Sequence, residues 1–192
     1  MSYSRKSFTF ILIITSFLAA SLANAAGVGN NIAVRLVGTY NQYDGTDLFD
    51  DFGIDQPIGD PPKCFDLDLV DVKTGNVIGA ATDCLTDINV VEVDAAGPNA
   101  ALVGTTFFHF DGGTVIARGL TTVQPVLHGS PNFTHITGAI PGLAQNGVIY
   151  GDGKFKNAAG PARLSGAVDL TNWTGADGTP MTFDCVFILD LK

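Results

Sequence analysis

Apolar and polar residues alternate in short runs along most of the chain. In residues 64–72, Phe65, Leu67 and Leu69 occupy one set of alternate positions, and two Asp side chains occupy the other. This period of two is typical of a β-strand with one buried and one solvated face. The same interpretation applies to residues 31–39, 77–84, 88–93, 101–110, 114–122, 134–140, 161–172 and 181–191. Because no segment has the pattern of an amphipathic helix, we predict an all-β fold.

Glycine-rich turns join several of these segments. The clearest is Asp111-Gly112-Gly113, which links residues 101–110 to residues 114–122. Glycines accept the positive φ angles of a tight turn, so this stretch predicts a β-hairpin. About eight strands can close into a barrel that is packed with side chains or holds one small ligand. We therefore predict an antiparallel eight-stranded β-barrel.

The segment 40–63 differs from the rest because it holds six Asp, three Gly and three Pro residues. This composition predicts a long irregular loop, and loops of that length are often functional, for example as a lid or rim over one end of the fold. Its Asp spacing does not reproduce the helix-loop-helix calcium motif. His128 and His135 lack a third ligand at metal spacing, so no metal site is predicted.

The start of the chain has the features of a secretory signal peptide. Arg5 and Lys6 precede an apolar stretch at residues 8–20, and Ala23-Asn24-Ala25 supplies a small-x-small cleavage site. We therefore predict a signal peptide at residues 1–25, a single domain at residues 26–192, and a secreted or periplasmic location. The formal net charge of the whole chain is −9. This negative charge argues against nucleic acid or an anionic membrane as a partner.

Three cysteines, Cys64, Cys84 and Cys185, allow at most one internal disulfide. Cys64 and Cys84 flank a predicted hairpin and are the first choice for the pair. A bridge from Cys185 to either of them stays open at this point. A structural role is favoured over a catalytic one, because no adjacent Lys, Arg or His would activate a thiol.

The segment 101–168 resembles the superfamily of allene oxide cyclases and dirigent proteins. The resemblance depends on FFHFDGGTVIARGL at residues 107–120, ITGA at residues 136–139 and YGDGKFKNAAGPARL at residues 150–164. The positions that correspond to the family's glycine-rich turn are Gly151, Gly153, Phe155, Ala158 and Gly160. The resemblance implies a barrel with an apolar cavity, a homotrimer, and isomerase or cyclase activity without a cofactor.

No catalytic residue can be carried over from the family. Plant allene oxide cyclases use a Glu and an Asn on the first strand, and residues 31–40 contain no acid and no thiol. The candidate ligand-binding residues are instead the ring and cationic side chains of the predicted strands: Arg35, Phe108, His109, Phe110 and Arg118. The simpler interpretation of His109 is a residue at the surface. The simpler interpretation of Arg118 is a residue of a structural ion pair.

Two functions follow as hypotheses from the sequence. The first is an exported barrel that binds a small hydrophobic molecule, with isomerase or cyclase activity as in the resembling family. The second is a non-catalytic structural or interaction protein whose barrel core is packed. A cavity with an apolar lining and a few polar groups would favour the first hypothesis.

Overall fold

The computed structural model describes residues 30–56, 59–94, 97–126, 132–138 and 147–192. The predicted signal peptide at residues 1–25 and His128 lie outside these residues. Within them, ten strands and one α-helix account for most of the chain. The elements are β1 (Asn30–Asn41), β2 (Tyr43–Asp44), α1 (Thr46–Phe52), β3 (Lys63–Asp71), β4 (Val77–Asp94), β5 (Gly97–Phe110), β6 (Gly113–Pro125), β7 (Phe133–Gly138), β8 (Gly147–Gly151), β9 (Gly160–Asp169) and β10 (Pro180–Leu191).

The strands form one antiparallel sheet that hydrogen bonds close into a ring. The order around the ring is β1, β10, β9, β7, β6, β5, β4 and β3. The pairing of β3 with β1 closes the ring. β2 pairs with β3, and β8 pairs with both β6 and β9. The prediction of an all-β antiparallel fold is therefore confirmed, with ten strands in place of eight.

The strand boundaries differ from the prediction in two places. Residues 77–84 and 88–93 belong to one continuous strand, β4, which is irregular at Asp87 (φ 48°). β8 lies in a glycine-rich stretch for which the alternation predicts no strand. In both places the backbone hydrogen bonds of neighbouring strands outweigh the local preference of Asp and Gly for turns.

The predicted alternation of faces is confirmed in β3 and β10. Phe65, Leu67 and Leu69 are buried in the main hydrophobic core, while Asp66 and Asp68 are exposed. In β10 the buried positions are Met181, Phe183, Cys185, Phe187, Leu189 and Leu191. These side chains fill the inside of the ring.

The segment 40–63 is not the irregular loop that its composition predicts. Residues 43–56, here called the strap, contain β2 and α1 and pack against the sheet on the side opposite to the main core. Phe49 of α1 is fully buried in a second cluster with Phe107 and Ile116. A helix of seven residues is too short to show an amphipathic period in the sequence, which is why it was missed.

The strap packs over a disulfide within the sheet and is hydrogen-bonded to β6. The predicted Cys64–Cys84 disulfide is confirmed, and both half-cystines lie in the second cluster. Arg118 of β6 donates a hydrogen bond from Nη2 to the Asp55 carbonyl oxygen at 2.7 Å. Cys185, on the inner face of β10, is a free and buried thiol.

Among the residues that the structure describes, no helix is both long and apolar enough to cross a bilayer. The one α-helix there, α1, has seven residues.

Candidate functional site

A cavity of about 200 Å³ lies within the ring of strands. Its wall is formed by side chains from β4, β5, β6, β7, β9 and β10, and most of them are apolar. They include Leu102, Val123, Ile136, Val168, Met181 and Phe183. Protein interiors rarely leave voids much larger than a water molecule, so this space requires an explanation.

Aromatic side chains fill the interior of the closed sheet on one side of the cavity. Phe187, which lines the cavity, packs edge-on against Phe108 with ring centroids 5.2 Å apart. Phe108 packs against Phe110, and Phe110 packs against Phe155 at 5.0 Å. This series of rings closes the end of the sheet at which β5 turns into β6.

The cavity reaches solvent at its opposite end. Its lining includes Ile88 and Val90 of β4, which are 37% and 62% exposed. Trp173, after β9, also lines this part, and its indole nitrogen donates a hydrogen bond to Gln42 Oε1 at 2.9 Å. A small molecule would therefore enter between β4 and the segment that holds Trp173.

Asp83 is the acidic side chain in the cavity wall. It is 5% exposed, and Thr106 donates a hydrogen bond from Oγ1 to Asp83 Oδ1 at 2.6 Å. No Lys, Arg or His of the described ranges forms an ion pair with it. Burial raises the pKa of Asp83 from 3.8 to about 6, and the hydrogen bond from Thr106 opposes part of that rise.

The position of Asp83 follows from the register of β4. Asp83 pairs with Phe65 of β3 and with Thr106 of β5, so it shares the inner face with both. Sequence reasoning missed this residue, although a signal was present. Cys84 forms its disulfide on the outer side of the sheet, and alternation then places Asp83 on the inner side.

Cys185 lies across the interior from Asp83 but has no features of a reactive thiol. It is 1% exposed, and its Sγ donates a weak hydrogen bond to the Ala167 carbonyl oxygen at 3.7 Å. Burial, followed by the negative charge of Asp83, raises the pKa of Cys185 well above its ordinary range. The thiol stays protonated at neutral pH, which favours the structural interpretation.

Replacing Asp83 by Asn is expected to stabilise the protein at pH 7 but not at pH 4.5. A carboxyl whose pKa is raised by folding stabilises the folded state only at low pH, and this contribution is lost as pH rises through about 4 to 6. The full shift corresponds to about 3 kcal/mol. Removing the carboxylate would therefore raise the free energy of unfolding at pH 7 by about 3 kcal/mol. Because the buried Asn amide would leave hydrogen-bonding groups unpaired, about 1 kcal/mol of this gain is lost, and a net gain of about 2 kcal/mol is expected.

Urea unfolding at the two pH values measures this effect. The matched control is Asp68→Asn, which removes an exposed carboxylate from the adjacent strand β3 and should change stability little at either pH. An Asp83→Asn variant that loses stability at pH 7 would contradict the expectation.

The structure does not bring the five sequence-derived candidate residues together. Arg35 lies on the outside of β1 and forms an ion pair with Asp184 at 2.7 Å. Phe108 and Phe110 belong to the series of rings at the closed end. Of the five, only Arg118 borders the cavity, and its guanidinium points to the strap, where it bonds Thr105 Oγ1 and Asp55 O.

His109 lies on the outer face of β5, opposite to its two Phe neighbours, as its position in the alternation predicts. It is half-buried beside Phe52 of the strap, and Nδ1 lies 3.3 Å from Thr114 Oγ1. Burial lowers the pKa of His109, and the charges of Asp66 and Asp152 oppose that change. His109 is therefore separated from the cavity by the sheet itself.

The glycine-rich turn that carries the resemblance stands at the closed end. Gly151 ends β8, a 3-10 turn covers Gly153–Phe155, and Gly160 begins β9. Gly153 (φ 51°) and Gly160 (φ 144°) are left-handed, and a Cβ at either would collide with the carbonyl oxygen of Gly112 or of Asp190. Phe155 and Ala158 pack against the main core, so the turn helps to close the ring end.

The described part of the chain contains no group of three or more His, Cys, Asp or Glu side chains that could hold a metal ion. In the strap, Asp44 serves a local turn, because its carboxylate accepts hydrogen bonds from the backbone N–H and the side-chain hydroxyl of Thr46.

Comparison with protein-family models, with curated proteins and with solved structures finds no match to this chain. The resemblance to allene oxide cyclases and dirigent proteins therefore stays a prediction from the residues quoted above. The site is defined by its geometry alone: an apolar cavity with an entrance at β4, a closed aromatic end and one buried carboxyl.

Proposed function

We propose that this protein binds a small, mostly apolar molecule inside a barrel of the allene oxide cyclase and dirigent type. The observation that carries the proposal is the cavity of about 200 Å³ with its apolar wall. An apolar cavity of about 150 Å³ is large enough to hold benzene. A guest with one ring or a short branched chain fits this space.

The cavity favours binding over the alternative of a purely structural protein with a packed core. Close packing stabilises a protein through dispersion contacts between side chains. The side chains around a void of this size lack those contacts, so the void destabilises the protein unless a guest fills it. A second space of about 520 Å³ lies against Phe110 and Phe155 at the closed end, but it is wider open to solvent and is bordered by Lys154 and Lys156. The more enclosed space is therefore the one bordered by Leu102, Val123 and Ile136. This arrangement is the one that a binding site requires.

Isomerase or cyclase activity remains a prediction from the resemblance. Asp83 is the side chain in the cavity wall that could exchange a proton with a guest, because its pKa of about 6 lies near neutral pH. The proposed binding does not depend on that chemistry. The disulfide suits the exported location that the signal peptide predicts, since disulfides persist in oxidising compartments.

Toluene is expected to bind the protein, and a Val123→Phe substitution should weaken that binding by about tenfold or more. Val123 is half-buried in the cavity wall, and a phenyl ring at this position would occupy the space of the guest. A loss of about 1.4 kcal/mol of binding free energy corresponds to tenfold. Binding is measured by ligand-observed NMR on protein purified from cells that express the full chain.

The matched control is Thr122→Phe, which adds the same ring one position away on the exposed outer face of β6. It should leave the affinity for toluene unchanged. The proposal is wrong if toluene does not bind, or if the two variants affect binding equally.

A further inference from the structure

The charges around the cavity specify the kind of guest more closely than its apolar wall does. We infer that the cavity selects an apolar molecule with a protonated amine whose nitrogen binds the Asp83 carboxylate. This inference rests on the binding function proposed above.

Asp83 brings a negative charge into the cavity, and no cationic side chain of the described residues balances it there. Two arginines border the cavity, but their guanidinium groups are engaged elsewhere. Arg118 binds Thr105 and the strap, and Arg163 forms an ion pair with Asp190 at 2.9 Å. A guest that carries a positive charge would therefore meet a single opposite charge.

Asp83 also receives few hydrogen bonds. Its one hydrogen bond within the described part of the protein comes from Thr106 Oγ1. A buried carboxylate can accept several hydrogen bonds, and leaving them unmade is costly in an apolar surrounding. An ammonium group supplies both N–H donors and the compensating charge, and such charge-assisted hydrogen bonds are about twice as strong as neutral ones.

The same geometry disfavours a guest with a carboxylate. Its charge would lie inside the same small cavity as Asp83, in a medium where repulsion is weakly screened. The net charge of −9 on the whole chain further lowers the local concentration of anions and raises that of cations. Fatty acids and aromatic acids are therefore poor candidates, and apolar amines are favoured.

The groups that face Asp83 leave it as the titrating residue of the site. Its strand neighbours are Phe65 on β3 and Thr106 on β5, neither of which ionises. The titratable group across the interior is the Cys185 thiol of β10, which stays neutral because burial raises its pKa. A pH dependence of amine binding between pH 5 and pH 7.5 would thus report the protonation of Asp83.

Four probes of nearly the same shape test the inference: toluene, benzyl alcohol, benzylamine and benzoate. At pH 7.5 we expect benzylamine to bind about tenfold tighter than benzyl alcohol or toluene. Benzoate should bind more weakly than toluene. Isothermal titration calorimetry on the full-length expressed protein measures the four dissociation constants.

Two further measurements assign the preference to Asp83. Asp83→Asn should remove the preference for benzylamine over benzyl alcohol, whereas the exposed control Asp68→Asn should retain that preference. In the unmodified protein, lowering the pH from 7.5 to 5 should weaken benzylamine binding about tenfold, because Asp83 is then mostly protonated. Toluene binding should not change over that range, so this measurement remains decisive if the Asn variant fails to fold.

The outcomes separate this inference from the proposed function. If toluene binds but benzylamine binds no tighter than benzyl alcohol, or if benzoate binds as well as benzylamine, the amine inference is wrong and the binding function stands. If toluene does not bind, the proposed function itself is wrong. A preference for benzylamine that disappears at pH 5 supports both.

Discussion

Phe108→Ala is expected to lower the free energy of unfolding by about 3–5 kcal/mol. Phe108 is fully buried and connects the ring of Phe187, which lines the cavity, to that of Phe110. Removing it deletes a large apolar contact surface. It also leaves a void next to a space that is already empty, so the neighbouring side chains gain little by moving inwards.

Urea unfolding followed by circular dichroism measures this loss. The matched control is Phe133→Ala, because Phe133 is a strand residue that is 37% exposed. Its replacement should cost about 1 kcal/mol or less. Equal losses for the two variants would mean that the ring series does not support the closed end as described.

Loss of the Cys64–Cys84 disulfide is expected to cost about 3 kcal/mol. The bond joins residues 20 positions apart, so it restricts the unfolded chain around the β3–β4 hairpin. In the folded protein both half-cystines pack with Phe49, so their removal also weakens the attachment of α1. The double variant Cys64→Ala, Cys84→Ala tests this expectation in urea unfolding.

A reducing agent provides the internal control for that variant. Dithiothreitol should destabilise the unmodified protein by a similar amount and have no effect on the double variant. A Cys185→Ala variant should keep the full response to dithiothreitol, because Cys185 is a free thiol. A response that persists in the double variant would contradict the assigned pairing.

The sequence predicted correctly those features that depend on residues close to one another in the sequence. Alternation assigned the buried and exposed faces of β3 and β10, because a strand repeats every two residues. The Asp111–Gly113 turn defined the hairpin of β5 and β6. The cysteine pair was predictable for the same reason, since the two residues flank one hairpin.

The features that were missed depend on contacts between distant parts of the chain. Where both faces of a strand carry apolar residues, as in β5, alternation does not say which face points into the ring. The sequence therefore does not predict Asp83 as a site residue, whereas it predicts Arg35 and His109, which lie on the outer side, as candidates for the cavity. The strap was missed because α1 is short and is held by Phe107 and Ile116, which are distant in sequence.

Burial of both faces of β5 has a consequence for how this strand finds its place. Thr105 and Phe107 lie under the strap side, Thr106 and Phe108 lie inside the ring, and all four are almost completely inaccessible to solvent. A slip of one position would bring Thr106 to the place of Thr105 and Phe108 to the place of Phe107, but it would also bring His109 to the buried place of Phe108. The apolar pattern therefore opposes the slip at only part of the strand. The hairpin at Asp111–Gly113, where Gly112 and Gly113 adopt positive φ, also selects the alignment. Lengthening this turn by one residue should yield misaligned, heterogeneous molecules even though every core side chain is retained.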